Sequence, residues 1–154
     1  MSRAEPVSFQ TTLRVRDNCL CLHVQRAARA LARRFDQALQ PLGLTNGQFS
    51  LMMSLNRPQP PGLGSVAGLL AMDRTTLTAA LKPLERRGLV TVEVDPEDRR
   101  GRRLRLTVAG KNLLAAATPV WEQTHAAMEA MLEAGEPDRL RRTLRSLEAG
   151  HPPL

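Results

Sequence analysis

Four arginines, Arg99, Arg100, Arg102 and Arg103, fall within the stretch DPEDRRGRRLRLT. A guanidinium stays charged, and its planar fork pairs a phosphate through two bonds. It also suits a narrow minor groove, where the negative potential is strongest. Upstream, Thr75, Thr78, Lys82 and Arg86 recur at spacings that share one side of a helix, with Arg74 and Thr76 beside them in its first turn. Threonine can meet a base edge or a phosphate, while Arg74, Lys82 and Arg86 are better placed for phosphates. The chemistry on offer is recognition of a polyanion.

A second group lies near the start of the chain. Cys19, Cys21 and His23 fall in what reads as the first turn of a long helix. A helix N-terminus favours thiolate, the form that oxidants and electrophiles attack, so Cys19 and Cys21 are candidate sensor thiols. Cys19 and His23 are also four positions apart, a spacing that can hold a metal. Packing competes with both readings, because cysteine is often buried and behaves as a small apolar side chain. On a helix the two cysteines point to different sides and do not readily bond each other. No metal and no cofactor are assigned. P-loop, Gly-x-Ser-x-Gly, His-Glu-x-x-His and Cys-x-x-Cys patterns do not occur in the sequence, so an enzyme is not expected.

These residues need elements to hold them. Asp73 stands where an N-cap should, and Leu77, Leu81 and Leu84 follow at the spacing of one buried helix face. Pro83 removes one ladder bond and predicts a bend, and Gly88 ends the helix after Arg86 and Arg87. Val90, Val92 and Val94 alternate with Thr91 and Glu93, and Leu104 and Leu106 with Arg103 and Arg105, as in two half-buried strands. Asp95-Pro96 and Gly101 turn the chain between them, which puts the arginines at the tip of a β-hairpin. A helix with a polar outer face followed by a basic hairpin is the layout of a winged helix-turn-helix.

Here the sequence resembles the MarR family of bacterial transcriptional regulators. The likeness is carried by MDRTTLTAALKPLERRGLV and DPEDRRGRRLRLTVAG. The family's wing pattern, Asp-x-Arg followed by Leu-Thr-x-x-Gly, is matched by Asp98, Arg100, Leu106, Thr107 and Gly110. The likeness continues upstream through LARRFDQALQPLGLTNGQFSLM and downstream through the helix that holds Trp121. It implies that Asp98 orients the arginine at the wing tip and that terminal helices pair into a two-fold homodimer. It also implies release from DNA by oxidation or by a small, often aromatic or phenolic effector, held between the dimerisation helices and the DNA-binding lobe. One departure is Ala79, where family members commonly carry arginine. Ala80 beside it is small too, and Arg74 and Lys82 remain as cations of that helix.

Composition agrees with a DNA partner. The net charge is +7, and residues 74–105 hold nine Lys/Arg against five Asp/Glu, whereas residues 106–154 hold five against six. A positive surplus over the helix and hairpin favours double-stranded DNA, though RNA or an anionic surface also attracts it. A hydrophobic share of 42% in 154 residues supports one domain with its own core, built on Leu, Ala, Val and Met because aromatics are only 3%. No apolar run reaches the roughly 18 residues of a membrane helix, and no apolar signal segment opens the chain. The expectation is a cytoplasmic protein without membrane contact.

Residues 1–16 read as a flexible arm. A helix capped by Asp17 or Asn18 runs to about Gln40, with Leu20, Val24, Leu31 and Phe35 on an apolar face and Arg26, Arg29 and Arg33 on a solvated one. Thr45 and Gln48 form a capping box for a helix burying Phe49, Met52 and Leu55. Asn56 to Gly64, with three prolines, reads as a rigid loop, and Ser65 as the cap of a short helix from Val66 to Ala71. Thr107 caps a long helix to about Glu133, whose apolar face is Leu114, Ala117, Trp121, Met128 and Met131. Trp121 and Met128 could line a pocket but read first as core. Pro137 opens a last helix along Leu140, Leu144 and Leu147.

The predicted fold is mainly α with a small β-hairpin wing. Residues 1–154 form a single domain, with a winged helix-turn-helix lobe over 45–106 and dimerisation helices over 17–41 and 107–150. The predicted function is a dimeric transcriptional regulator, a repressor acting on an inverted-repeat operator. Weakly specific or architectural DNA binding and a winged-helix protein-interaction module are the alternatives.

Overall fold

A computed structural model describes residues 6–148. The elements run α1 (Phe9–Asn18), α2 (Leu20–Leu39), a 3-10 turn (Gln40–Leu42), α3 (Asn46–Leu55), α4 (Leu63–Leu69), α5 (Arg74–Arg86), β1 (Val90–Val94), β2 (Arg102–Leu106), α6 (Val108–Glu129) and α7 (Glu136–Leu147). The architecture is a winged helix-turn-helix with helices added at both ends.

Local chemistry starts and stops these helices. At α3, Gln48 N–H donates to Thr45 Oγ1 (3.1 Å) and Thr45 N–H to Gln48 Oε1 (3.1 Å), a complete capping box. At α5, Asp73 accepts the Thr76 N–H at 2.7 Å. Gly88, with φ +68°, ends α5 where an L side chain would be strained, and Leu89 N–H closes back on Leu84 O (3.0 Å). At α6, Thr107 Oγ1 accepts the Gly110 N–H (3.0 Å) and donates to Gly88 O (2.6 Å). One threonine therefore caps α6 and ties it to the end of α5.

The core joins the lobe to the flanking helices. Phe49, Met52, Leu77, Leu81, Leu84 and Leu104 are buried together with Leu39 of α2 and Leu114 and Ala117 of α6. The sheet is the antiparallel pair β1–β2, with Val90 opposite Leu106, Val92 opposite Leu104 and Val94 opposite Arg102. Burial fades toward the tip, from buried Val90 to Val94 at 55% exposure, so the hairpin projects from the core. Leu104 N–H also donates to Pro61 O (2.9 Å), and Gly62 bridges Arg103. The proline-rich loop thus serves as a rudimentary third strand and fastens the wing to α4.

Several sequence expectations change. Half of the expected arm, residues 9–16, is helix: Ser8 caps α1 by accepting the Thr11 N–H (3.2 Å), and residues 1–5 lie outside the described residues. The expected helix from residue 17 is interrupted at Cys19, whose extended backbone (ψ 105°) separates α1 from α2. The cap of α4 is Gly62, and Ser65 lies inside the helix, because Leu63 and Gly64 already take up helical geometry. The long helix α6 ends at Glu129, so Met131 falls beyond it and is 64% exposed.

Candidate nucleic-acid interface

Helix α5 divides its residues cleanly. Leu77, Leu81 and Leu84 are buried on one side. Thr75, Thr78, Ala79, Lys82 and Arg86 are exposed, at spacings that place them on the opposite side. Ala79 leaves a hollow of about 310 Å³ among Arg74, Thr75, Thr78 and Lys82. The Arg74 guanidinium lies over α4, so close to Gly64 that an added Cβ there would stand 3.0 Å from it.

The threonines differ in what they leave free. Thr76 is turned onto Asp73: its hydroxyl donates to Oδ2 (2.8 Å) while its N–H donates to Oδ1. These bonds, the backbone one largest, hold the Asp73 carboxyl below its ordinary value. Thr76 therefore builds the start of the helix while its side chain stays exposed beside Thr75. Thr78 Oγ1 donates to Arg74 O (2.7 Å), which uses its proton and leaves its methyl and an acceptor oxygen.

The wing arginines also separate into roles. Arg103 Nε lies 3.1 Å from Asp95 Oδ1, buried and out of hydrogen-bond alignment, and its Nη2 lies 3.6 Å from Glu97. Arg103 is thus an ion-pair partner of Asp95 and Glu97 within the hairpin, with its side chain 31% exposed. The Asp95 carboxyl is held below its ordinary value first by the Glu97 backbone N–H and then by Arg103. Arg102 folds back to donate to the carbonyls of Arg99 (3.3 Å) and Gly101 (3.0 Å), bracing the tip. Among the described residues Arg99 and Arg100 have no carboxylate partner and are exposed. Asp98 accepts the backbone N–H of Arg100 (3.0 Å), so it fixes the turn through the main chain and not through the Arg100 guanidinium.

The cysteines sit at the α1–α2 break. Cys19 is half-buried and caps α2, its Sγ accepting the Leu22 N–H (3.4 Å), beside a cleft lined by Arg14, Val15 and Asn18. Cys21 is exposed, and Gln25 donates to its sulfur (3.1 Å). Because Cys19 is extended, the helical separation expected of the two thiols does not apply to it. His23 turns its Nδ1 to the Cys19 carbonyl (2.9 Å), which ties the ring to the backbone and not to the sulfur. Among the described residues no group of three or more His, Cys, Asp and Glu stands together as a metal cage.

A cleft of about 550 Å³ opens between α3, α4 and α6. Phe49, Met53, Leu70 and Trp121 give it apolar walls, with Thr118 and Glu122 at its polar side. The Trp121 ring stacks between Phe49 (6.3 Å between centroids) and His125 (4.7 Å). Met128 is half-buried and does not line this cleft.

Sequence reasoning passed over Arg87 and Gly64. Arg87 donates to Gly43 O (2.7 Å) and so pins the α2–α3 link to the end of α5. Two successive arginines before Gly88 were a visible signal, but their partner is 44 positions away. Gly64 gives the Arg74 side chain room, which no spacing within either helix could show.

Three comparisons bear on this geometry. The family model described as MarR family matches residues 44–101. The transcriptional regulator HosA of Escherichia coli O111:H- is 33% identical over 106 residues, which cover 68% of this chain and 77% of HosA. The transcriptional regulator MosR of Mycobacterium tuberculosis, solved in complex with DNA, superposes with a TM-score of 0.77 at 35% identity, covering 84% of this chain and 93% of that one. The transcriptional repressor CouR, bound to a 23-mer DNA duplex, gives a TM-score of 0.78 at 27% identity, covering 87% and 95%. Among the described residues no helix is long and apolar enough to cross a membrane.

Proposed function

The chain belongs to the MarR family of DNA-binding transcriptional regulators, and on that premise we propose that it is a homodimeric repressor of a promoter carrying an inverted-repeat operator. The observation that carries this reading is the pairing of an exposed α5 face, bearing Thr75, Thr78 and Lys82, with a wing tip whose Arg99 and Arg100 have no carboxylate ion-pair partner among the described residues. A two-fold dimer presents two such helices to successive major grooves, about 34 Å apart. The operator half-sites are then about one helical turn apart, and the wings reach the flanking minor grooves. Such a dimer works in the cytoplasm, where promoters are.

Two release routes are proposed, each supported by a feature of the chain. The cleft walled by Trp121 and Phe49 suits a small aromatic effector, which shifts the equilibrium by its differential affinity for the DNA-competent form. Cys19 and Cys21, at the α1–α2 break, suit release by oxidation. The test is fluorescence anisotropy on DNA from upstream of the protein's own gene, fully reduced and after mild peroxide. If each protomer neutralises about three to five phosphates, the log–log salt slope is roughly −5 to −9. A slope shallower than about −2 would overturn the reading. Loss of binding after peroxide supports a switch at Cys19 or Cys21, and unchanged binding demotes the cysteines to packing and turns the search to small-molecule effectors.

A further inference from the structure

We propose that the hollow over Ala79 reads the C5-methyl group of thymine, so that each operator half-site carries an obligatory thymine at one major-groove position. The inference deepens the reading of α5 as the operator-reading helix and rests on it. Ala79 lies at the middle of the exposed side of α5, flanked by Thr75, Thr78 and Lys82. Its single methyl makes the floor of the hollow. The Thr78 hydroxyl gives its proton to the Arg74 carbonyl (2.7 Å), so toward a ligand the side chain offers no donor, only its methyl and an acceptor oxygen. Thr75 lines the same rim.

The centre of the helix therefore offers methyl groups where direct readout of guanine or adenine needs a bidentate fork from Arg, Asn or Gln. The only forked side chain at the hollow, Arg74, is carried over Gly64 at the start of the helix. In the major groove one base alone presents an apolar group, thymine through its C5-methyl, and Ala and the Thr methyl are its partners. Arg74 and Lys82 at the rim supply phosphate-seeking charge on either side of that apolar centre, which fits a base edge set between two backbones. A hollow of about 310 Å³ is wider than one methyl, so the thymine edge enters and fills what Ala79 leaves open. Burying one methyl changes affinity about fourfold, and two symmetric half-sites about fifteenfold.

The test begins with selection of the full-length protein's site from a random duplex library. Each thymine of the selected repeat is then replaced by deoxyuridine, symmetrically in both half-sites, which removes the methyl and keeps the base pairing. The expected result is one position where this change weakens binding about fifteenfold, with the remaining positions within about twofold. With Ala79→Ser, which puts a hydroxyl on the floor and keeps the helix, deoxyuridine at that position costs less than half as much. Selection repeated with Ala79→Arg yields guanine there, because arginine brings the fork that guanine accepts. A selected inverted repeat whose deoxyuridine variants all bind within about twofold overturns the methyl readout and leaves the regulator intact. Selection that yields no repeat at all removes the regulator reading, and this inference with it.

Discussion

At the residue scale, charge alone does not tell which arginine meets DNA. Arg103 is held by Asp95 and Glu97, whereas Arg99 and Arg100 are free of carboxylates among the described residues. Changing Arg99 or Arg100 to Gln is expected to lower the salt slope by about 1 per protomer while leaving the melting curve in place. Arg103→Gln is expected to do the reverse, loosening the hairpin and lowering thermal stability. An unchanged salt slope in both tip variants would sink the assignment. Asp73 gives a pH dependence whose sign follows from its cap. Its folded carboxyl is lowered by the Thr76 N–H and hydroxyl, so the cap contributes fully above the ordinary value of 3.8 and is lost as pH falls through the lowered one. The melting-temperature deficit of Asp73→Ala is therefore largest above the ordinary value of 3.8 and shrinks as pH falls through the lowered one, followed by circular dichroism against wild type. Gly110 is a steric matter: an added Cβ would stand 2.1 Å from the Leu89 carbonyl, which already accepts the Thr107 N–H. Gly110→Ala must push α6 off β1, at about 1–3 kcal/mol or more in urea titration. Equal midpoints would show that the two elements have slack.

At the element scale, what could be read from the sequence was what neighbours in the chain decide. The Thr45/Gln48 box, the Asp73 cap, the buried face of α5 and both wing strands depend on residues within a few positions, and all were legible. The α1–α2 break was not, because Cys19 caps through sulfur, which ranks below Ser, Thr, Asp and Asn in any capping pattern. Nor was the division of the wing arginines, since Arg103 points where the hairpin register and Asp95 send it. The turn between α4 and α5 hides a further cost. Ala71 holds φ +50°, the left-handed region that disfavours a side chain. Met72 N–H is bonded to Ala67 O (2.9 Å), so the backbone is fixed there by the turn itself. Ala71→Gly is expected to stabilise the protein by about 0.5–1 kcal/mol in urea titration, the relief of strain exceeding the added chain entropy. A loss of stability would mean that the Ala71 methyl contributes packing that outweighs its strain.

At the scale of the whole molecule, the first and last described helices pack only partly on the rest of the chain. Neither α1 nor α7 has a buried residue. Phe9 is 74% exposed and Leu147 60%, and α7 is tied back by the Arg141 ion pair with Glu129. Apolar faces this open, on helices flanking a lobe with a complete core, make sense when a second copy covers them. In the proposed dimer one lobe on one half-site would bind weakly, and the linked second lobe would gain about 10²–10⁴ in effective affinity without a new contact. A variant carrying Leu140→Arg and Leu147→Arg places two cations on the face of α7 that lies outside the core. It is expected to sediment as a folded monomer, since no core residue is touched. Its affinity for the upstream DNA should fall about a hundredfold or more, and its salt slope should drop to about half of the wild-type value as only one lobe contacts phosphates. A variant that stays dimeric would move the pairing surface to α1 and α2. A monomer that keeps the full slope would mean that one lobe makes all the phosphate contacts, and the two-fold operator would have to be given up.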